Sequence, residues 1–445
     1  MRSVRLREWQ TRDPSTEPAL RCGPVDSQTR ARIRATNSTG RLEVVEVSGG
    51  LRVSTSSFVG AVDLGPVVLH IEPKIQPELA PTMMRYALGL DAVKLSSTLD
   101  MPVDRMSFTD LVAILLIEEI DRVRQAGLFR DYRAKFAWLG SPKGRLDFAK
   151  LASHPMLNRL ALPCRYDART ANLALNQTLL ASVMALRPAV SEHELQFELH
   201  AREALLRECC AALPLSPDLL AAARRQLDRR TAYYEPLLAL AELILSARGP
   251  AFVADGGASS AALPGFLFDM NELFERFVAR LCREHAPRHL RVEAQASSTH
   301  AFRYLANPHQ WQLPRLRPDI VIYAGREPRL VIDTKYKDLA ETRLNASDLY
   351  QLTLYSLSFG RDSFVPARLV FPAWGAVEIE PALEFRGMRG GVALARVTVF
   401  GLEMENCLEA VRNANRTQLT KVVATMAQPK PFTTMNGSSQ SITGP

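Results

Sequence analysis

Over residues 1 to about 95, apolar and polar positions alternate in short runs punctuated by Gly and Pro. Ser3-Val4-Arg5-Leu6-Arg7 and Leu42 to Val47 alternate, Gly49-Gly50 follows as a turn, and Leu51 to Ser54, Phe58 to Val62 and Val67 to Ile71 continue the series. A two-residue period predicts strands, here a small β-rich sheet or barrel. Arg12 to Asn37 is polar, with Arg30, Arg32 and Arg34, and reads as an exposed loop or arm, either solvated or touching nucleic acid. From about 78 to 260 the period lengthens toward 3.6, predicting helices at Phe108 to Val123, Asn172 to Leu186, Glu194 to Leu213, Ala221 to Arg230 and Tyr233 to Ala247. Arg224, Arg225 and Arg229 would either grip phosphates or line a solvated helix face.

Gly256 to Ser260 has linker composition. Beyond it the pattern predicts a helix over Phe266 to Glu284 and strands at Leu290 to Glu293, Ile320 to Tyr323, Leu330 to Lys335, Arg368 to Phe371 and Val392 to Val399. A helix over Ser347 to Phe359 has Asn345 as its cap and Gly360 as its stop. The expected fold class is α+β: a β-rich domain over 1–95, a helical region over 96–260, a mixed domain over 261–427 and a disordered tail over 428–445.

Composition narrows the class. Hydrophobic residues make up 47% and charged residues 23%, the balance of a folded chain without disorder-dominated character. The formal charge of +8 is compatible with a polyanionic partner but does not demand one. Of six cysteines only Cys209 and Cys210 lie close in sequence, and the eight histidines show no zinc-binding spacing, which predicts a reduced, cytoplasmic protein without structural zinc. No apolar run approaches the length of a membrane span.

The candidate chemistry lies between Arg317 and Lys337. Pro318-Asp319 opens one β-branched run, and a second run ends in Asp333-Thr334-Lys335 after a turn at Ala324 to Pro328. Alternation puts Asp333 and Lys335 on one face and Thr334 on the other. With Asp319 at the mouth of the neighbouring strand, two carboxylates and an ammonium converge; alone, such a pair of strand ends also reads as solvated charge. Glu275, at the edge of the apolar stripe of the preceding helix, can face the same cleft, whereas Glu272 lies on the opposite side. Gln351 and Tyr355 stand four residues apart on the following helix and so on one side of it. Hard carboxylate oxygens suit Mg²⁺, and a lysine beside the metal can position a water or stabilise growing phosphate charge. The set points to phosphodiester hydrolysis, with Asp319, Asp333 and Glu275 as metal ligands, Lys335 as the catalytic cation, and Gln351 and Tyr355 orienting the substrate.

Pro318-Asp319, Asp333-Thr334-Lys335 and Gln351-Leu-Thr-Leu-Tyr355 together resemble the PD-(D/E)xK nuclease superfamily. Across residues 1 to 400 the chain resembles the McrC family, in Val59-Gly60, Ile71 to Ile75, Gly127 to Tyr132, Lys143-Gly144-Arg145, Cys164 to Asp167, Asn172, Asn176 and Phe268 to Glu275. The resemblance implies a restriction-endonuclease-like C-terminal domain, Mg²⁺-dependent cleavage of double-stranded DNA, and a hexameric McrB-like AAA+ GTPase ring as partner. That ring would bind the GTP and read 5-methylcytosine, since this chain has no G-x-x-x-x-G-K-[ST]. It also implies that the region before residue 260 docks on the ring and stimulates it. Two alternatives stay open: a non-catalytic regulator of an AAA+ ring with a DNA-binding nuclease-like platform, and a PD-(D/E)xK nuclease working with a different motor or alone.

Overall fold

The computed structural model describes residues 2–90, 106–152, 161–248, 265–298, 301–313, 315–337, 344–360, 364–375, 381–386 and 393–428. The chain divides into two compact units, Met1–Met270 and Asn271–Pro445. The expected linker at Gly256 to Ser260 and the expected tail beyond residue 428 lie outside the described residues.

The first unit begins with β1 (Arg2–Arg7), β2 (Thr11–Arg12), α1 (Ser27–Ser38), β3 (Leu42–Val47), β4 (Gly50–Thr55), β5 (Phe58–Asp63) and β6 (Val67–Glu72). Alternation works as expected in β1 and β6: Val4, Leu6, Val67, Leu69 and Ile71 are buried in one core with Leu42, Val44, Leu51 and Val53. The Arg-rich stretch is not a loop throughout, because α1 occupies its second half. Asp26 caps that helix, accepting from the Thr29 N–H at 2.7 Å. Ile33 is its one large buried apolar residue, too thin a stripe to register as a helical period. Arg30 pairs with Glu46 and Arg32 with Asp63, each at 3.1 Å.

Next come α2 (Ala80–Leu88), α3 (Phe108–Ala126), β7 (Asp131–Leu139), β8 (Arg145–Leu146), α4 (Phe148–Ala152), β9 (Leu162–Thr170), α5 (Ala174–Leu186), α6 (His193–Arg207), α7 (Pro217–Arg224) and α8 (Glu235–Arg248). The region expected to be helical thus contains a three-stranded antiparallel sheet ordered β7-β9-β8, with β7 and β9 paired from Asp131/Thr170 to Leu139/Leu162. Tyr132, Phe136 and Trp138 alternate along β7, yet all three are exposed, so the pattern carries no buried side to announce a strand. Gly144 bends the chain into β8 at φ 67°; a Cβ there would lie 2.4 Å from the Arg165 carbonyl oxygen. The helices also end earlier than expected, α6 at Arg207 and α7 at Arg224. Of the three arginines considered as a phosphate grip, Arg224 is held by Glu242 at 2.6 Å.

Between α5 and α8 lies a buried polar knot. Tyr234 donates to Asn176 Oδ1 at 2.5 Å and accepts from the Phe129 N–H at 2.9 Å. Asn176 Nδ2 donates to the carbonyls of Phe129 and Ala171 at 2.8 and 2.7 Å. This accounts physically for Asn176 within the family-like stretch: a fully buried amide that satisfies two loop ends.

β10 (Gly265–Asp269) completes a four-stranded sheet ordered β1-β6-β5-β10, in which β1 and β6 are parallel and the other pairs antiparallel. Residues 266–269 were expected to begin a helix; Phe266-Leu267-Phe268 is a continuous buried apolar run, and periodicity alone does not separate a buried strand from a buried helix turn. Gly60 faces this strand at φ 139°, and a Cβ on it would sit 2.0 Å from the Phe266 carbonyl oxygen.

The second unit holds α9 (Met270–His285), β11 (Leu290–Ala294), β12 (Ile320–Ala324), β13 (Glu327–Thr334), α10 (Ala346–Ser358), β14 (Ala367–Ala373), β15 (Ala382–Arg386), β16 (Ala393–Glu403), α11 (Met404–Arg412) and α12 (Arg416–Ala427). Its six-stranded mixed sheet is ordered β11-β12-β13-β14-β16-β15. β13, β14 and β16 run parallel, and α10 supplies the crossover that a parallel pair requires. β14 is buried along its whole length, as a central strand must be. The edge strand β15 is exposed along its whole length, and it and the two final helices had no counterpart among the predicted elements. Arg368 projects from β14 into the core, 1% exposed, where it donates to Thr398 Oγ1 at 3.0 Å and to the carbonyls of Thr425 and Met426 at the end of α12.

Candidate functional site

The antiparallel register of β12 on β13 pairs Ile320 with Ile332. One step beyond, at the strand ends, Asp319 and Asp333 stand opposite each other. Ile320, Val321, Leu330, Val331 and Ile332 are wholly buried, so these strand ends are anchored in the core of the sheet. Asp333 itself is 2% exposed. Lys335 Nζ lies 3.0 Å from Asp333 Oδ2, an oxygen that accepts no hydrogen bond of regular geometry. The Lys335 backbone is fixed by donation to the Val370 carbonyl at 3.0 Å. Tyr336 is buried beside Phe274 of α9, ring centroids 5.9 Å apart.

Around this centre the other expected residues take different positions. Gln351 Nε2 donates to Asp333 Oδ1 at 3.2 Å and to the Tyr355 hydroxyl at 2.8 Å, and that hydroxyl donates to the Arg317 carbonyl at 3.2 Å. Both side chains therefore brace Asp333 from inside the protein. Glu275 of α9 is tied one step away: Gln295 Nε2 donates to Glu275 Oε1 at 2.7 Å, and Arg317 donates to the Gln295 side-chain oxygen. Glu272 is drawn off by Arg276 at 2.7 Å.

Two contributors escape sequence reasoning. Thr334 was expected on the face opposite Asp333, yet its N–H and its hydroxyl both donate to Asp319 Oδ2 at 2.7 Å. Thr334 is the last residue of β13 and Asp319 precedes β12, so the carboxylate reaches round the strand end where alternation no longer separates the faces. Gln295, at φ 52°, links Glu275 to Arg317, and its N–H donates to the Asp319 carbonyl at 2.7 Å. Neither periodicity nor spacing marks Gln295; a non-glycine residue in the left-handed region is a structural signal only.

The electrostatics are those of crowded acids. Burial and then the Asp319 charge push the Asp333 carboxyl up to about 6, against the pull of Lys335. Burial raises Asp319 despite its two bonds from Thr334, and burial followed by the Asp319 charge raises Glu275. For Lys335, burial pulls downward but Asp333, Asp319 and Asp348 outweigh it, so the ammonium is held more firmly than usual. Three acids against one ammonium leave a deficit of positive charge, and hard oxygen donors suit a small divalent cation. Among the described residues no three His, Cys, Asp or Glu side chains form a ready-made cage. Two carboxylates with retained waters fit Mg²⁺, which seldom takes an all-protein shell.

Comparison with known proteins places these observations in context. Residues 53–372 match the family model described as McrBC 5-methylcytosine restriction system component. A chain of the structure described as a refined half-complex from a tetradecameric assembly of Thermococcus gammatolerans McrB AAA+ hexamers with bound McrC shares 15% identity. That match covers 94% of this chain and 100% of the other, at a TM-score of 0.54, a likeness of fold that supports the mixed α+β class. A chain of the cryo-EM structure of the Thermococcus gammatolerans McrBC complex shares 16% identity over 63% of this chain and 86% of the other, at a TM-score of 0.43. No curated protein sequence matches the chain.

Proposed function

The chain belongs to the family of McrBC 5-methylcytosine restriction system components, and from that premise we propose that it is the McrC-type nuclease subunit, cleaving double-stranded DNA with Mg²⁺ beside a McrB-type AAA+ GTPase ring. The observation that carries the reading is Asp319 opposite Asp333 with Lys335 3.0 Å from the latter. Asp319 and Asp333, with Glu275 as a third acidic group, would hold Mg²⁺, which supplies Lewis-acid polarisation of the scissile phosphate. Lys335, whose ammonium is favoured by the neighbouring carboxylates, would stabilise charge growing on the phosphate oxygens and orient the attacking water. Gln351 and Tyr355 keep the Asp333 carboxylate aimed. Thr334 does the same for Asp319.

The partner assignment draws on the same family membership and on the fold shared with a chain of an assembly in which McrC is bound to McrB hexamers. In this reading the first unit docks on the ring, the ring binds GTP and reads methylated cytosine, and the assembly is cytoplasmic. No described helix is long and apolar enough to cross a membrane.

The test is cleavage of a methylated plasmid by the full chain with a McrB-type GTPase, GTP and Mg²⁺. Asp333→Ala and Lys335→Ala are each expected to lower the rate at least ~10³-fold while GTP hydrolysis by the ring remains stimulated. Cleavage surviving both substitutions would sink the site assignment. A wild-type chain that stimulates the ring but never cuts would favour the non-catalytic regulator, and full cutting by the chain alone would favour an independent nuclease.

A further inference from the structure

The segment between β11 and β12 combines exposed aromatics with arginines. From Ala294 to Pro318 it contains no Asp or Glu, while Arg303, Arg315 and Arg317 are exposed. Trp311 is 66% and Leu305 90% exposed, with Tyr304 and Phe302 partly so. This is not slack chain. Asn307 closes the loop tip reciprocally, its Oδ1 accepting from the Trp311 N–H and its Nδ2 donating to the Trp311 carbonyl, both at 2.9 Å. His309 stacks on the indole at 5.3 Å and 25°, and the loop root is closed by the Ser298 N–H on the Leu316 carbonyl at 3.0 Å.

A large aromatic held out in water by a dedicated hydrogen-bonded clamp is pre-organised for contact, so little ordering cost remains when it binds. The root of the loop is continuous with the candidate site. Arg317 ends the loop, its carbonyl takes the Tyr355 hydroxyl, and Asp319 follows two residues later. We infer that residues 301–313 form a DNA-engaging wedge, in which Trp311 stacks on or between bases of duplex DNA while Arg303 and Arg315 bind flanking phosphates. This deepens the DNA-cleavage reading and rests on it. A charge-selected protein surface is the competing occupant. The acid-free run with spaced guanidiniums favours phosphate, and an apolar wedge beside arginines is how proteins unstack a base step.

The probe is a fluorescein-labelled 30-base-pair duplex, titrated with the full chain in EDTA so that nothing is cut, and read by fluorescence anisotropy. Trp311→Ala raises Kd about 5- to 150-fold, the span of one lost base–aromatic stack, and Trp311→Phe recovers most of the affinity. Arg303→Ala lowers the slope of log Kd against log salt by about 0.9. Both residues are exposed, so melting curves should match the wild type. Affinity of Trp311→Ala within about twofold of wild type overturns the proposal, as does a wild-type chain without affinity for the duplex. Unchanged DNA affinity with lost assembly on the GTPase ring makes the loop a protein surface, and the proposal falls. Because the read-out needs no metal, a chain that binds through Trp311 but does not cut would refute the nuclease reading and leave the wedge standing.

Discussion

The substitution Asp333→Asn should make the protein more stable, and more so as pH rises. Asp333 is 2% exposed, and its carboxyl is pushed from the usual 3.8 up to about 6. Because the folded-state pKa lies above the unfolded one, the native state holds the extra proton between those values, and native stability falls as pH rises through that window. Two pKa units correspond to about 3 kcal/mol. Asn approximates the protonated acid and does not titrate. The stability difference between variant and wild type at pH 8 should therefore exceed that at pH 4 by about 3 kcal/mol, and the pull of Lys335 is already contained in the shift. For a unit of this size that is about 6–12 °C in Tm. Calorimetric melts of the full chain at pH 4, 5, 6 and 8 in EDTA measure it. Mg²⁺ should then restore the wild type more than the variant, since only binding to the native state stabilises. A pH-independent difference, or one that shrinks toward pH 8, refutes the argument that Asp333 is a crowded acid awaiting a cation.

Two predictions concern the first unit. Gly60→Ala meets both a φ of 139° and a carbonyl oxygen 2.0 Å from the new Cβ, so β10 must leave β5; a loss of about 3 kcal/mol or more should appear in the urea midpoint together with new protease sensitivity near residue 265. Tyr234→Phe strands the Phe129 N–H and the Asn176 side-chain oxygen in the interior and should cost about 2–4 kcal/mol, whereas the same change at the exposed Tyr350 should be neutral in a parallel denaturation series.

What could be read from the sequence divides along a physical line. Strands such as β1, β6 and β12 bury one face or both, and burial writes itself into the order of residue types. The site pattern Asp319, Asp333, Lys335, Gln351 and Tyr355 was legible because each residue sits at a strand end or at helical spacing, and four of its contacts follow from that placement. Where the outward face carries the interest, the signal vanishes. β7 bears three exposed aromatics and so went unassigned within a region expected to be helical, and α1 has Ile33 as its one large buried apolar side chain. Gln295 was illegible for another reason: its role depends on one left-handed dihedral and on three neighbours brought together by different elements.

The strand that closes the first sheet also sets a timetable. β10 completes the edge of β5 from far down the chain; Ser57 and Asp269, at the ends of that pairing, are 212 positions apart. At roughly 5–20 residues per second a ribosome needs about 10–40 s to supply the second strand after the first. Through that interval the nascent sheet presents an unpaired β-branched edge, the geometry that invites pairing with another chain. Closing so long a loop early is also entropically slow. Any recombinant fragment meant to isolate the first unit must therefore run through Asp269; one cut at the glycine-rich stretch before it would express a sheet with its last strand missing.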